Sequence, residues 1–80
     1  MFRTLVKTES IAIEDRTYPV RYFQLRTIRG GRRYSAEILV GSGDRIIFDD
    51  DSVTTLETKT KRFVPAILYS RMLAGKATAA

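Results

Sequence analysis

Cysteine and histidine are both missing from these 80 residues. Without cysteine there is neither a disulfide framework nor a thiolate metal site. Without histidine the chain loses the commonest metal ligand and the side chain best suited to proton transfer near neutral pH. Ser10, Ser35, Ser42, Ser52 and Ser70 therefore have no base of that kind, and nothing resembles a G-x-S-x-G elbow. No apolar run approaches the roughly 20 residues that span a bilayer, and the N-terminal stretch has no signal-peptide core. The expectation is a soluble, cytoplasmic protein that is not an enzyme, with no cofactor, no membrane partner and no small-molecule substrate.

Nor do the acidic residues make a convincing metal site. Asp49-Asp50-Asp51 lacks the alternating ligands, internal glycine and closing glutamate of a calcium loop, and consecutive side chains point apart. Negative charge at the start of a helix explains the run better. Glu57-Thr58-Lys59 resembles the acid-x-lysine arrangement of metal-dependent nucleases, but here it falls on helical sequence and reads as a solvated face. Gly30-Gly31 and Gly41-x-Gly43 lie between strands, whereas a phosphate-cradling loop opens a helix.

What is present is positive charge, unevenly placed. The net charge is +5, made of +4 over residues 1–43, −4 over 44–58 and +5 over 59–80. Five arginines fall between Arg21 and Arg33 with no acid among them. Such a surplus favours association with polyanions and says nothing about fold.

Eighty residues suit one domain, with residues 1–74 as that domain and 75–80 as a flexible tail. Around Gly30-Gly31, alternating apolar and polar residues predict a β-hairpin with a two-residue turn. That turn pairs Phe23 with Ile38, Leu25 with Ala36, Thr27 with Tyr34 and Arg21 with Val40 on a core face. It places Tyr22, Gln24, Arg26, Ile28, Arg33, Glu37 and Leu39 on the other face. Gly41 to Asp44 make a second turn into a strand with Ile46 and Phe48 inward, or Ile47 in their place. A further strand precedes the hairpin, strongest at Ile11 and Ile13, whose face the pattern leaves open; Glu14 to Thr17 form its turn.

From Asp49 onward the pattern is helical. Thr54-x-x-Glu57 fits a capping box, with Ser52 and Asp51 as competing caps. Leu56, Phe63, Ile67 and Thr60 share a stripe that Val64, Leu68 and Met72 flank. Pro65 removes a backbone donor, so a kink or split is expected there, with Gly75 as the stop. The fold class is thus α+β: an antiparallel β-meander of three to four strands followed by a C-terminal helix on the Phe23/Ile38 face. Several DNA-binding families and antitoxin-type domains share that order of elements, a likeness that transfers no function.

Two functional readings follow. In the first, Arg26, Arg29, Arg32 and Arg33 contact phosphates of DNA or RNA, with the ribbon narrow enough for a major groove and Tyr22 stacking on an unpaired base. Glu37 dilutes that patch, and charged edges also protect strands from aggregation without any ligand. In the second, the chain is a homodimeric interaction module, joined through Ile28 and Leu39 or through Leu68, Tyr69 and Met72.

Overall fold

Very short connections dictate the topology, because two- and three-residue links join only antiparallel neighbours. In a computed structural model that describes residues 3–79, with side chains to residue 73, β1 (Arg3–Ile13), β2 (Arg16–Arg26), β3 (Arg32–Gly41) and β4 (Asp44–Asp50) form one sheet in the order β1-β2-β3-β4. Helix α1 (Val53–Ala79) follows and packs on one face. The architecture is the expected α+β meander with a C-terminal helix. No helix among the described residues is long and apolar enough to cross a membrane.

The β2–β3 register differs from the expected one. Val20 pairs with Ile38, Tyr22 with Ala36 and Gln24 with Tyr34, so the partner of Ile38 has moved three residues, from Phe23 to Val20. An odd shift turns every β2 side chain to the other face. The turn explains it: only Gly30 has a positive φ (81°), and Gly31 does not. The loop is therefore Ile28-Arg29-Gly30, a type I turn closed by a left-handed glycine, instead of a two-residue primed turn. The shift also removes Arg21 and Thr27 from the core face and places Val20 and Tyr22 there, both with no exposed surface. Fully burying a side chain of this kind contributes about 1.5–3 kcal/mol, and a charge there would cost more than that.

With β2 turned over, Ile11 pairs with Tyr18 and shares the α1 face with Val20 and Tyr22. Ala36, Ile38, Ile46 and Phe48 complete that face, as expected for β3 and β4. Phe23 and Leu25 lie instead on the face that α1 leaves bare. The β1–β2 turn is Glu14-Asp15 alone, between paired Ile13 and Arg16, and Glu14 takes a φ of 55°, where a Cβ is strained.

Ser52 wins the competition for the helix cap. Its Oγ accepts from the Thr55 N–H at 3.4 Å, and its carbonyl accepts from Leu56 N–H at 3.1 Å. Thr54 already lies inside α1 and so cannot be the N-cap of a box with Glu57, whose carboxylate instead accepts from Lys7 Nζ at 2.6 Å on β1. Leu56, Thr60 and Val64, spaced four apart, are fully buried. Phe63 sits at the edge of that stripe, 41 % exposed, with its ring tilted 47° against Phe48 at 6.4 Å.

The expected split at Pro65 does not occur; α1 is one element through it. Proline leaves the Lys61 carbonyl without its helical partner, but Lys61 is exposed and water can serve that oxygen. Gly75 does not stop the helix either, and α1 continues to Ala79. A glycine costs only about 1 kcal/mol in a helix, and the alanines around this one favour it. Of the expected tail, residue 80 lies outside the described residues.

Candidate nucleic-acid interface

The arginine-rich turn is held by its own backbone. Gly30 N–H donates to the Thr27 carbonyl at 3.0 Å, Thr27 N–H donates to the Gly31 carbonyl at 2.9 Å, and Gly31 N–H donates to Thr27 Oγ1 at 2.9 Å. A Cβ on Gly31 would stand 3.1 Å from that same Oγ1, so glycine is what lets the hydroxyl close the turn. Three hydrogen bonds within five residues give a fixed tip.

That tip stands clear of the sheet. β1 last pairs with β2 at Arg3–Leu25, and β4 last pairs with β3 at Asp50–Tyr34. Beyond those levels, among the described residues, the β2–β3 ribbon continues alone through Arg26 and Arg32 into the turn. The molecule measures 50 × 21 × 20 Å, with the tip at the end where α1 begins and the end of α1 opposite.

Arg26 pairs directly with Arg32 at the neck of the turn. Like charges in that position destabilise a sheet, by about 0.2–1 kcal/mol. Both are exposed, as is Arg29, and none of the three has a carboxylate partner among the described residues. Arg33 is different, because it is ion-paired with Asp51. Asp50 pairs with Lys59 at 2.5 Å, which holds its carboxyl below the usual carboxylate range, helped by the Asp51 N–H. The acidic run thus stands at the foot of the basic hairpin, and two of its three members are engaged by cations. Asp49 lines a recess there with Leu25, Arg26, Ile28 and Arg33.

Two expected site residues are placed otherwise. Tyr22 is fully buried between sheet and helix, its hydroxyl donating to Glu9 at 3.3 Å, so it cannot stack on a base. Burial pushes its phenol above the ordinary range and the nearby Glu9 adds to that, while a Thr60 hydroxyl contact pulls the other way. Glu37 does not dilute the arginine patch. It faces Arg21 on the bare side of the sheet, 3 % exposed, and accepts from Arg45 and Arg3.

Sequence reasoning missed this second cluster. Arg3 and Arg45 reach from the two edge strands to one carboxylate, and Arg3 also lies 4.1 Å over the Phe23 ring. Of the two sets expected at an interface, Leu68, Tyr69 and Met72 are brought together, whereas Ile28 and Leu39 are not. Ile28 is at the turn, Leu39 on the bare sheet face, and Leu68, Tyr69 and Met72 line a groove at the far end with Ile13, Tyr18 and Val40. Compared with known proteins, the chain matches no family model, no curated protein and no solved structure.

Proposed function

We propose that this chain is a small cytoplasmic, non-catalytic domain that binds nucleic acid through the β2–β3 hairpin. The observation that carries the reading is the Arg26–Arg32 pair, set opposite each other without a carboxylate partner among the described residues. Keeping an exposed ribbon soluble needs charge, but mixed charge serves as well and without the repulsion. A phosphate between the two guanidinium groups turns that repulsion into attraction, and Arg29 extends the contact at the tip.

Fluorescence anisotropy with single- and double-stranded oligonucleotides at two salt concentrations tests this. Three phosphate contacts give an affinity loss of about 40-fold between 50 and 200 mM salt. Changing Arg26, Arg29 and Arg32 to Glu removes most of the affinity while the circular dichroism spectrum stays unchanged. Absence of binding to either form at low salt refutes the reading.

A second reading, a homodimer, draws on the far end of the molecule. There Tyr69 and Met72 are 58 % and 44 % exposed beside the groove, where Arg71 pairs with Asp44 at 2.6 Å. Sedimentation at micromolar concentration would then report twice the monomer mass, and Tyr69→Glu would shift it to monomer.

A further inference from the structure

Ile28 has no packing role. It occupies the first central position of the turn, its surface 105 % exposed, between Thr27 and Arg29. Every other large apolar side chain on β2 and β3 is at least half-buried. Single exposed apolar residues are common and need no explanation by themselves. This one sits on a hydrogen-bonded tip, at the extreme end of the molecule, with Arg26, Arg29 and Arg32 around it.

We infer that Ile28 is a wedge that enters the minor groove of duplex DNA and parts one base step, with the surrounding arginines on the flanking phosphates. The inference rests on the nucleic-acid reading and goes further, naming the form of nucleic acid, the groove and the residue. The ribbon past its last four-strand level reaches about 7–10 Å, at ~3.3 Å per residue. The minor groove is about 7.5 Å deep and 6 Å wide, so a tip of this length reaches the base edges once the groove opens. Apolar side chains inserted in this way unstack a step and bend the duplex toward the major groove. Arginine is drawn to the negative potential of narrow A·T-rich minor grooves, and TA steps unstack most readily.

Duplex RNA fits less well, because its minor groove is shallow and its deep groove too narrow. An anionic membrane would also accept arginines around an apolar tip. One isoleucine, however, buries far less than a myristoyl chain, which by itself binds only marginally. Asp49 lines the recess at the foot of the hairpin and repels phosphate there, so contact is confined to the turn.

The test uses the full chain with a duplex carrying a central TA step and a fluorophore at each end. Energy transfer reads the bend and anisotropy reads the affinity. The wild type should shorten the end-to-end distance. Ile28→Ser should lose most of that bend and about tenfold in affinity with the salt slope unchanged, and Ile28→Leu should retain both. Equal bending and affinity for wild type and Ile28→Ser overturns the wedge and leaves the nucleic-acid reading standing. No binding to any oligonucleotide overturns both. Ile28-dependent sedimentation with phosphatidylserine vesicles, in a protein that does not bend the duplex, overturns the wedge in favour of a lipid surface.

Discussion

Arg45 donates to Glu37 Oε2 at 3.1 Å, and Arg3 reaches the same oxygen at 3.4 Å from the opposite edge of the sheet. The carboxylate side chain is 4 % exposed while the two arginines are 55 % and 50 % exposed. The arginines therefore remain partly hydrated, which limits what the pairing contributes. Losing the glutamate leaves guanidinium groups that can turn to water, so Glu37→Ala should cost about 1–2 kcal/mol in urea unfolding. Glu37→Gln, which keeps the acceptor but not the charge, should cost less. Equal stability of wild type and Glu37→Ala would show that the cluster contributes nothing.

The helix cap makes a contrast between two nearby hydroxyl side chains. Ser52 Oγ accepts a backbone bond from Thr55, whereas the Glu57 that would complete a box with Thr54 is held by Lys7. Ser52→Ala should lower stability by about 1 kcal/mol, and Thr54→Ala by much less, in the same thermal or urea titration. The reverse order would mean that the box, and not Ser52, caps α1.

Register is open to a direct chemical test, helped by the lack of native cysteine. Gln24 faces Tyr34 across the ladder, while Glu37 stands on the other face. A chain carrying Gln24→Cys and Tyr34→Cys should oxidise readily to an intramolecular disulfide. One carrying Gln24→Cys and Glu37→Cys, the pair that a two-residue Gly-Gly turn brings together, should not. Non-reducing electrophoresis with mass spectrometry reads the result.

Alkaline pH should weaken the fold through Tyr22. Its folded-state pKa lies above the unfolded value because burial disfavours the phenolate. A raised value means that its contribution is whole below the unfolded pKa of about 10 and is lost as pH rises through the folded one. Lys7, held charged by Glu57 and Glu9, titrates in the same sense. Stability should therefore show no loss from Tyr22 up to about pH 9 and fall beyond pH 10. Tyr22→Phe should make that fall shallower and remove the component of the 295 nm absorbance titration that lies above the ordinary tyrosine range.

The parts of the fold that could be read from sequence were those with one apolar face. In β3, Tyr34, Ala36, Ile38 and Val40 alternate with polar residues except at Leu39, and in β4 Ile46 and Phe48 pointed inward as expected. β2 offered two apolar sets, Val20 with Tyr22 and Phe23 with Leu25, and alternation alone cannot choose between them. The choice fell to the turn, where the adjacent glycines suggested a two-residue loop; only Gly30 uses its conformational freedom. In α1 the stripe was found one residue off centre, because Phe63 outweighs Val64 in hydrophobicity but not in position. Of the candidate site, Arg29 and Arg32 could be placed at the turn from local sequence; the Arg26–Arg32 pair could not, because it depends on the register, and the expected one set Arg26 opposite Ser35. Glu37 could not, since its partners Arg3 and Arg45 come from strands 34 and 8 residues away.

The strand order has a kinetic consequence. Each ladder joins strands that are neighbours in the chain, so every pairing requires closing only a two- or three-residue loop. A sheet built from local pairings has low contact order, and such chains fold faster than sandwiches or barrels of similar size, on the order of milliseconds. Hairpins can zip in succession from any of the three turns. The burial of Leu56 and Val64 against β3 and β4, by contrast, has no counterpart until those two strands are paired. Docking of α1 is expected to follow the β3–β4 hairpin, so that substitutions at Leu56 or Val64 speed unfolding more than they slow folding.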